Sequence, residues 1–296
     1  MKIAIYHNTA SQGYLLSEKL KSKNFDVTLF LPQINEINIS GDHFVPLYNQ
    51  LSIKYYKDIK LLINYFFKKF DLVISNNYWK RTWINSKKWL YWHHGTQLLN
   101  DPQLTSRLKG SHYVSSPDLI QKEAKLLNRI VDMRNLSIGN QFINDSERTH
   151  DFIIGHFPTH KNQKGSKYID NAIHNMIDIG YDINYLTNYD NHIPKHKFSN
   201  IISKCDFIID QYVPSRGIIA LTGLEAMLSG VNVISSLNKT GVEDSKLLNL
   251  VNNFYKEDGL LYFNLNKKSP QILKNYVIQH HSGDKTLDIL RNDNII

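Results

Sequence analysis

Short runs of β-branched and aromatic residues alternate with longer amphipathic segments along the whole sequence, and this alternation restricts the fold most. In the first unit, Lys2 to Tyr6 predicts a buried strand, Tyr14 to Lys21 a helix, and Val27 to Leu31 a returning strand. A helical crossover between two strands makes them neighbours in a parallel sheet. The sequence therefore predicts an α/β fold in which helices cover parallel sheets.

The alternation continues and then restarts after a polar segment. The first series also includes predicted strands at Leu72 to Ser75, Trp89 to Trp92 and Tyr113 to Ser115, with a helix from Pro117 to Leu127. The second series comprises strands Phe152 to Phe157, Ile183 to Thr187, Phe207 to Asp210 and Asn232 to Ser235, and helices Ser166 to Ile179, Lys197 to Ser203 and Ile218 to Ser229.

The polar segment between the two series, Asn140 to His150, is rich in Asn, Asp, Ser and Arg, so we place a linker there. We predict two Rossmann-like, doubly wound domains that face each other across a cleft, residues 1–145 and 146–296, with the last helix packing back on the first domain. Ligands of such sheets bind at the carboxyl ends of the strands, which directs attention to the loops that follow them.

Composition excludes a disordered chain and points to an anionic partner. The 296 residues are 42% hydrophobic and carry a net charge of +8, which fits a phosphate-bearing small molecule, an acidic membrane surface or nucleic acid. Because the lysines are dispersed and no recognition motif appears, nucleic acid is not expected as a partner. The single cysteine, Cys205, is expected as a small buried hydrophobe, and we expect a cytoplasmic location. The longest apolar stretch, Ile218 to Leu237, predicts helix, turn and strand rather than a membrane span.

The segment from Cys205 to Ser236 carries the strongest functional signal. A strand ends at Asp210, and a helix is expected to begin near Gly217, where unpaired N–H groups would attract a phosphate or a sugar. Glu225 then falls two turns into that helix among apolar residues, where a carboxylate requires a partner. That partner is either the vicinal hydroxyls of a ligand or a cation of a salt bridge on the surface.

Two further segments carry candidate ligand contacts. Lys161 and Lys164 are expected in a loop after a strand, before a flexible turn at Gly165, and they fit either a diphosphate or ordinary solvated lysines. His93 and His94 lie at the end of another predicted strand, where adjacent side chains point to opposite sides and make poor joint metal ligands.

The text LEAMLSG at Leu224 to Gly230, followed by a strand, resembles the carboxyl-terminal signature of GT-B fold retaining glycosyltransferases of the family 4 type (glycosyl transferases group 1). Val114 to Leu119 also resembles this family's late amino-terminal strand and helix. The resemblance implies that Glu225 binds the ribose hydroxyls of a nucleotide.

The same resemblance assigns roles to four other residues. Lys164, in a Lys-Gly pair, and Lys161 would neutralise the diphosphate of the donor, and His94 would form a hydrogen bond to the donor sugar. Gly13, in the loop after the first strand, matches the glycine-bearing loop that lies against donor and acceptor.

The chain departs from the family pattern at one position. The family has a second glutamate eight residues before the first, and here Gly217 occupies that place, next to Arg216. In place of that glutamate, the open backbone of Gly217 and the guanidinium of Arg216 can bind hydroxyls or phosphate.

The implied activity is transfer of a sugar from a UDP- or GDP-linked donor to a glycan or lipid-linked acceptor, with retention, without a metal, and with no cofactor beyond the donor. Two alternatives stay open: a sugar-nucleotide epimerase or hydrolase of the same fold, and a non-catalytic nucleotide-sugar-binding protein.

An amphipathic helix is predicted from Ile53 to Phe70, with aromatic and aliphatic residues on one side and lysines on the other. Two interpretations fit this pattern. The helix either packs its apolar side on the core or lies on an anionic membrane, which would give the protein a peripheral membrane contact.

Overall fold

The computed structural model describes residues 1–6, 12–31, 43–44, 69–76, 86–94, 101, 103–115, 124–133, 149–189, 195–215, 218–237 and 245–296. The chain divides into two compact units: unit 1 is Met1–Ile130 together with Gly283–Ile296, and unit 2 is Val131–Ser282. The linker and the boundary predicted at residues 145 and 146 fall almost wholly within 134–148, outside the described residues.

Unit 1 is built on one parallel sheet. Its strands are β1 (Lys2–Tyr6), β2 (Asp26–Leu31), β3 (His43–Phe44), β4 (Phe70–Asn76), β5 (Ser86–His93), β6 (Ser111–Val114) and β7 (Ala124–Leu126). The helices described in this unit are α1 (Gln12–Lys21), α2 (Leu104–Arg107) and α9 (Gly283–Asn292), which is the last helix of the chain. The strand order is β3-β2-β1-β4-β5-β6-β7, and neighbours run parallel.

Strand alternation distributes the core of unit 1 over both faces of this sheet. Ile3 and Ile5 pack on one face, whereas Ala4 and Tyr6 pack on the other, because successive side chains of a strand point in opposite directions. Helices α1 and α9 cover the first face with four leucines, Leu16, Leu20, Leu287 and Leu290. The Lys19 ammonium and the Asp284 carboxylate join the two helices at 2.7 Å.

Helix α1 begins earlier than the sequence predicts. Ser11 to Gly13 was expected as a loop, but Gly13 is buried in the first turn of α1. The cause is a long-range contact: the Gln12 side chain donates to the carbonyl of Ile130 at 2.9 Å and accepts from its N–H at 2.7 Å. These two bonds fix the start of the helix.

Two other predictions for unit 1 are wrong where the structure can be compared. Ala124–Leu126, expected as the end of a helix, is strand β7, which pairs with β6. Phe70, expected as the end of the amphipathic helix, begins strand β4 and is buried. The rest of the amphipathic segment, residues 53–68, and most of the other helix, residues 117–123, lie outside the described residues.

Unit 2 also has a parallel sheet, with strands β8 (Phe152–His156), β9 (Ile183–Thr187), β10 (Phe207–Gln211) and β11 (Asn232–Ser235). Their order is β11-β10-β8-β9, and a separate hairpin joins β12 (Phe254–Glu257) to β13 (Leu260–Phe263). The helices described in this unit are α3 (Lys161–Lys164), α4 (Ser166–Asp178), α5 (Lys195–Ile202), α6 (Leu221–Leu228), α7 (Ser245–Leu250) and α8 (Pro270–His281).

The core of unit 2 has two clusters, and strand β10 contributes to both. Ile208 packs with helix α6, whereas Phe207 and Ile209 pack with helix α4. Helix α4 buries residues at helical spacing, namely Ile169, Ala172, Ile173 and Met176. Cys205 is buried as expected, and burial raises the pKa of its thiol to about 12.

The apolar stretch from Ile218 to Leu237 forms helix α6, a turn and strand β11, which confirms the predicted order. Within the ranges given above, none of the helices has the length and apolar character needed to cross a membrane.

Candidate functional site

The strand order of unit 2 identifies where a ligand would bind. Strand β9 lies on one side of β8 and strand β10 on the other, so the direction of winding reverses between β8 and β10. Open parallel sheets bind ligands at this point, outside the carboxyl ends of the strands. The segment that follows β8 carries Lys161 and Lys164, and β10 ends at Gln211.

Lys164 lies at this reversal point. Its ammonium donates to the side-chain oxygen of Gln211 at 2.9 Å, and its carbonyl accepts the N–H of Tyr212 at 2.9 Å. Gln211 is buried, and its amide N–H₂ donates to the carbonyl of Ile218 at 2.7 Å. This contact orients the Lys164 ammonium through a neutral amide.

Gly165 allows this arrangement. Its backbone is left-handed, with φ of 71°, and a Cβ atom placed on it would lie 2.1 Å from the carbonyl oxygen of Tyr212. No residue with a Cβ atom fits this close approach. The position after Lys164 therefore requires glycine for a steric reason, separate from the electrostatic role of the lysine. Gly165 lies between the two helices, as the C-cap of α3 and the N-cap of α4.

The two lysines take different partners. Both were expected in a loop, but they are the first and last residues of the one-turn helix α3. The Lys161 ammonium lies over the Tyr189 ring, 4.3 Å from its centroid, beyond the end of β9. The structure thus places Lys164 at the reversal point and Lys161 beside the neighbouring strand.

A β-bulge at the end of β10 gives the adjacent side chains of Asp210 and Gln211 different partners. Ile209 pairs with Ile234 and Gln211 with Ser235, so Asp210 is the extra residue in the ladder. Gln211 binds Lys164, whereas the buried Asp210 carboxylate accepts the N–H of Ala220 at 2.5 Å. Ala220 is the N-cap of helix α6.

Helix α6 begins at Leu221 and not near Gly217, so the predicted start is wrong. The bond from Ala220 to Asp210 explains the shift, because it fixes the extended residue that precedes the first turn. Glu225 is accordingly one turn, not two, into the helix. Its side chain is partly exposed, whereas its neighbours Leu224 and Ala226 are fully buried. Arg216 and Gly217 lie outside the described residues.

Sequence reasoning missed His156, which links the elements around Lys164. Its Nδ1–H donates to the carbonyl of Ile209 at 2.8 Å, and its Nε2 accepts from the hydroxyl of Ser166 at 2.9 Å. The ring therefore connects β8, β10 and α4. The sequence feature that could have identified this residue is the presence of a histidine at the carboxyl end of a predicted strand.

In unit 1, His94 follows the carboxyl end of β5, where the sequence placed it. Its ring centroid lies 4.5 Å from that of Trp92, and the side chain is partly buried. His93 is on the opposite face: it is buried, stacks on Tyr91, and its Nε2 lies 3.1 Å from Nδ1 of His112. The predicted opposite orientation of the two histidines is confirmed.

His93 and His156 predict how stability depends on pH. Burial lowers the pKa of both to about 4, and the neighbouring His112 adds to the effect at His93. In the unfolded chain the pKa is about 6.5, so between these values the unfolded chain binds more protons. The free energy of unfolding should therefore be highest above pH 6.5 and fall by up to about 3 kcal/mol per histidine as the pH approaches 4.

Urea unfolding between pH 4 and pH 8 measures this dependence. The variant His156→Asn keeps a donor for the Ile209 carbonyl but does not titrate, so its curve should be flatter than that of the unchanged chain. An identical pH dependence in the two proteins would contradict the assignment.

Within the part of the chain that the structure covers, no three His, Cys, Asp or Glu side chains are grouped so that they could hold a metal ion.

Comparisons with known proteins identify the fold. No family model matches this chain, and no curated protein sequence matches it significantly. Among solved structures, an alpha-glucosyltransferase in complex with UDP and a 13-mer DNA containing a central A:G mismatch is 13% identical, with a TM-score of 0.57 over 100% of this chain and 99% of that one. AviGT4, a glycosyltransferase involved in Avilamycin A biosynthesis, is 10% identical, with a TM-score of 0.56 over 99% of this chain and 96% of that one. The likeness shows the GT-B fold, with two Rossmann-like units.

Proposed function

We propose that this protein is a glycosyltransferase that moves a sugar from a UDP- or GDP-linked donor to a glycan or lipid-linked acceptor. One observation carries the proposal: the Lys164 ammonium lies at the reversal point of the unit 2 sheet, oriented by the neutral amide of Gln211. A fixed cation at that point suits the diphosphate of a nucleotide sugar. The GT-B fold agrees with this proposal.

The chemical task of Lys164 follows from the reaction. When the bond between the sugar carbon and the diphosphate oxygen breaks, the electron pair goes to the diphosphate and negative charge builds there. A cation already in position stabilises that charge without reorganisation. The acceptor hydroxyl forms the new bond to the sugar carbon, and its proton passes to the departing diphosphate oxygen. Retention at the sugar carbon and independence from metal ions are part of the proposal.

Other residues complete the proposed donor site. Glu225 would accept hydrogen bonds from the ribose hydroxyls, and His94 would bind the donor sugar. Lys161, Arg216 and the backbone of Gly217 are proposed as additional contacts to the donor. For Gly13 we propose backbone contact only, because it is buried in the first turn of α1. Membrane contact during the use of a lipid-linked acceptor remains a prediction.

Replacing Glu225 by alanine is expected to weaken nucleotide binding about 30- to 160-fold. The variant removes two charge-assisted hydrogen bonds, together worth about 2–3 kcal/mol. Titration calorimetry with UDP and GDP measures the loss. Glu257→Ala removes an exposed carboxylate elsewhere in unit 2 and serves as the control, which should bind normally. Equal affinities for the two variants would contradict the role of Glu225.

A screen of nucleotide sugars by thermal shift, followed by product analysis, tests the function itself. UDP sugars come first, because UDP is present in the alpha-glucosyltransferase structure of similar fold. The expected result is a sugar transferred to an acceptor with retained configuration, in the presence of EDTA. Release of free sugar or an epimer without an acceptor would indicate the hydrolase or epimerase alternative. Binding without turnover would indicate a binding protein.

A further inference from the structure

Unit 1 contains a pocket of about 470 Å³ that the proposed transfer reaction does not use. It lies at the amino-terminal edge of the sheet, where Lys87 and Lys88 begin β5 and Lys109 precedes β6. His94 follows the opposite end of β5, about 23 Å away for a strand of this length. The pocket is therefore separate from the carboxyl edge of the sheet.

The loop of Lys109 is fixed against β5 by a close backbone contact. A Cβ atom on Gly110 would lie 2.5 Å from the carbonyl oxygen of Trp89, so only glycine lets the loop approach this closely. The next residue, Ser111, pairs with Leu90 in the sheet. Lys109 is thus held beside the start of β5, and the three lysines form one group.

The positive charge of this group is not balanced within the part of the chain that the structure covers. Lys87, Lys88 and Lys109 are exposed and form no ion pair with any described residue. Two acids that are adjacent in sequence to lining residues, Asp71 next to Leu72 and Asp293 next to Asn294, have other partners. Asp71 accepts the backbone N–H of Lys2 at 2.7 Å. Asp293 binds the Lys125 ammonium at 2.7 Å and the Tyr113 hydroxyl at 2.5 Å.

The remaining walls of the pocket combine apolar side chains with the polar residues Ser86, Ser111 and Asn294. Leu72 and Trp89 are buried core residues that reach its surface, and Ile295 closes another side. A cavity of this size that combines apolar side chains with a few charged and polar groups can hold a small molecule. The three lysines favour an anion, and the apolar side chains favour one with an organic body.

We propose that this pocket binds a phosphate group carried by an organic molecule. The same chemistry is present in a soluble phosphorylated metabolite and in the headgroup of an anionic phospholipid. The proposal does not depend on the donor site of unit 2, and its test uses no nucleotide.

The test measures the binding of two probes to the protein at low ionic strength. Phenyl phosphate, titrated by calorimetry, represents a soluble organic phosphate. Sedimentation with phosphatidylcholine vesicles that contain or lack phosphatidic acid represents the lipid source. Hydrogen exchange then locates the bound probe, and protection is expected in peptides that cover residues 86–94 and 103–115.

The variant Lys87→Ala/Lys88→Ala/Lys109→Ala should bind the preferred probe at least about tenfold more weakly, since each lost contact contributes a fraction of the 1.4 kcal/mol that corresponds to a factor of ten. The control Lys204→Ala/Lys256→Ala/Lys285→Ala changes the net charge equally through exposed lysines outside the pocket. It should bind within about twofold of the unchanged chain.

Loss confined to the pocket variant supports the proposal, and the probe that binds identifies the source of the phosphate. Equal loss in both variants would show a net-charge effect and overturn it. Protection that appears only outside the two peptides, or no binding of either probe, would overturn it as well.

Discussion

Sugar transfer by the Lys164→Ala variant should be about 100- to 1,000-fold slower than transfer by the unchanged chain, which is the usual cost of losing one preorganised charge that stabilises a leaving group. The reason is the position of the ammonium, 2.9 Å from the Gln211 oxygen at the reversal point of the unit 2 sheet. Because the charge on the diphosphate grows during bond cleavage, kcat should fall more than donor affinity. Steady-state kinetics with calorimetry on the same protein separate the two effects.

Lys161→Ala is the matched control for this variant. It removes the same group from the same one-turn helix, but its ammonium lies over the Tyr189 ring. We expect a loss of less than about tenfold in kcat, because this ammonium lies beside the strand that neighbours the reversal point and not at it. Equal effects of the two substitutions on kcat would contradict a specific role for Lys164. Equal losses in kcat and affinity for Lys164→Ala would indicate simple attraction in the ground state.

Gly165→Ala should lower the free energy of unfolding by more than about 3 kcal/mol. A left-handed alanine costs about 1–2 kcal/mol, and the new methyl group must also displace the Tyr212 carbonyl, which would lie 2.1 Å from it. The displaced segment includes Lys164 and Gln211, so nucleotide binding should weaken as well. Urea unfolding and calorimetry measure the two effects.

Gly180→Ala separates backbone strain from the clash. Gly180 also has a positive φ, of 99°, but a Cβ atom placed there would meet nothing within 4 Å. This variant should lose only the strain contribution of about 1–2 kcal/mol and should bind nucleotide normally. If both variants lose the same stability, the contact between Gly165 and Tyr212 is not tight.

Most of the parallel strands could be predicted from the sequence because they are short runs rich in β-branched or aromatic residues. Lys2–Tyr6, Ile183–Thr187 and Asn232–Ser235 have the predicted bounds. Such runs can be recognised from the local sequence, because a strand register that exposed them to water would lose the free energy of hydrophobic burial.

The starts of α1 and α6 could not be predicted from the local sequence, because distant residues determine them. Gln12 begins α1 through its bonds to Ile130, more than a hundred positions away, and Asp210 fixes Ala220 before α6. Residues of this kind have no local pattern. The sequence therefore predicted α1 and α6 but misplaced the first turn of each, whereas α4 begins at Ser166 as predicted.

Only part of the candidate site could be predicted from the sequence. The Lys-Gly pair and Glu225 could be found by resemblance, but the partner of Lys164 could not, because Gln211 reaches it only through the bulge in β10. The hairpin of β12 and β13 was missed although its signal is local. Asp258 and Gly259 both have positive φ at the turn, as a tight hairpin requires.

The discontinuity of unit 1 has a consequence for synthesis on the ribosome. Unit 2 is one uninterrupted stretch, whereas the core of unit 1 needs Leu287 and Leu290, which emerge after all of unit 2 has been made. Domains generally fold as units during translation. Until the last helix has been made, the face of the amino-terminal sheet on which these leucines pack is covered by only one of its two described helices, α1, so its core is completed after the whole of unit 2 has left the ribosome.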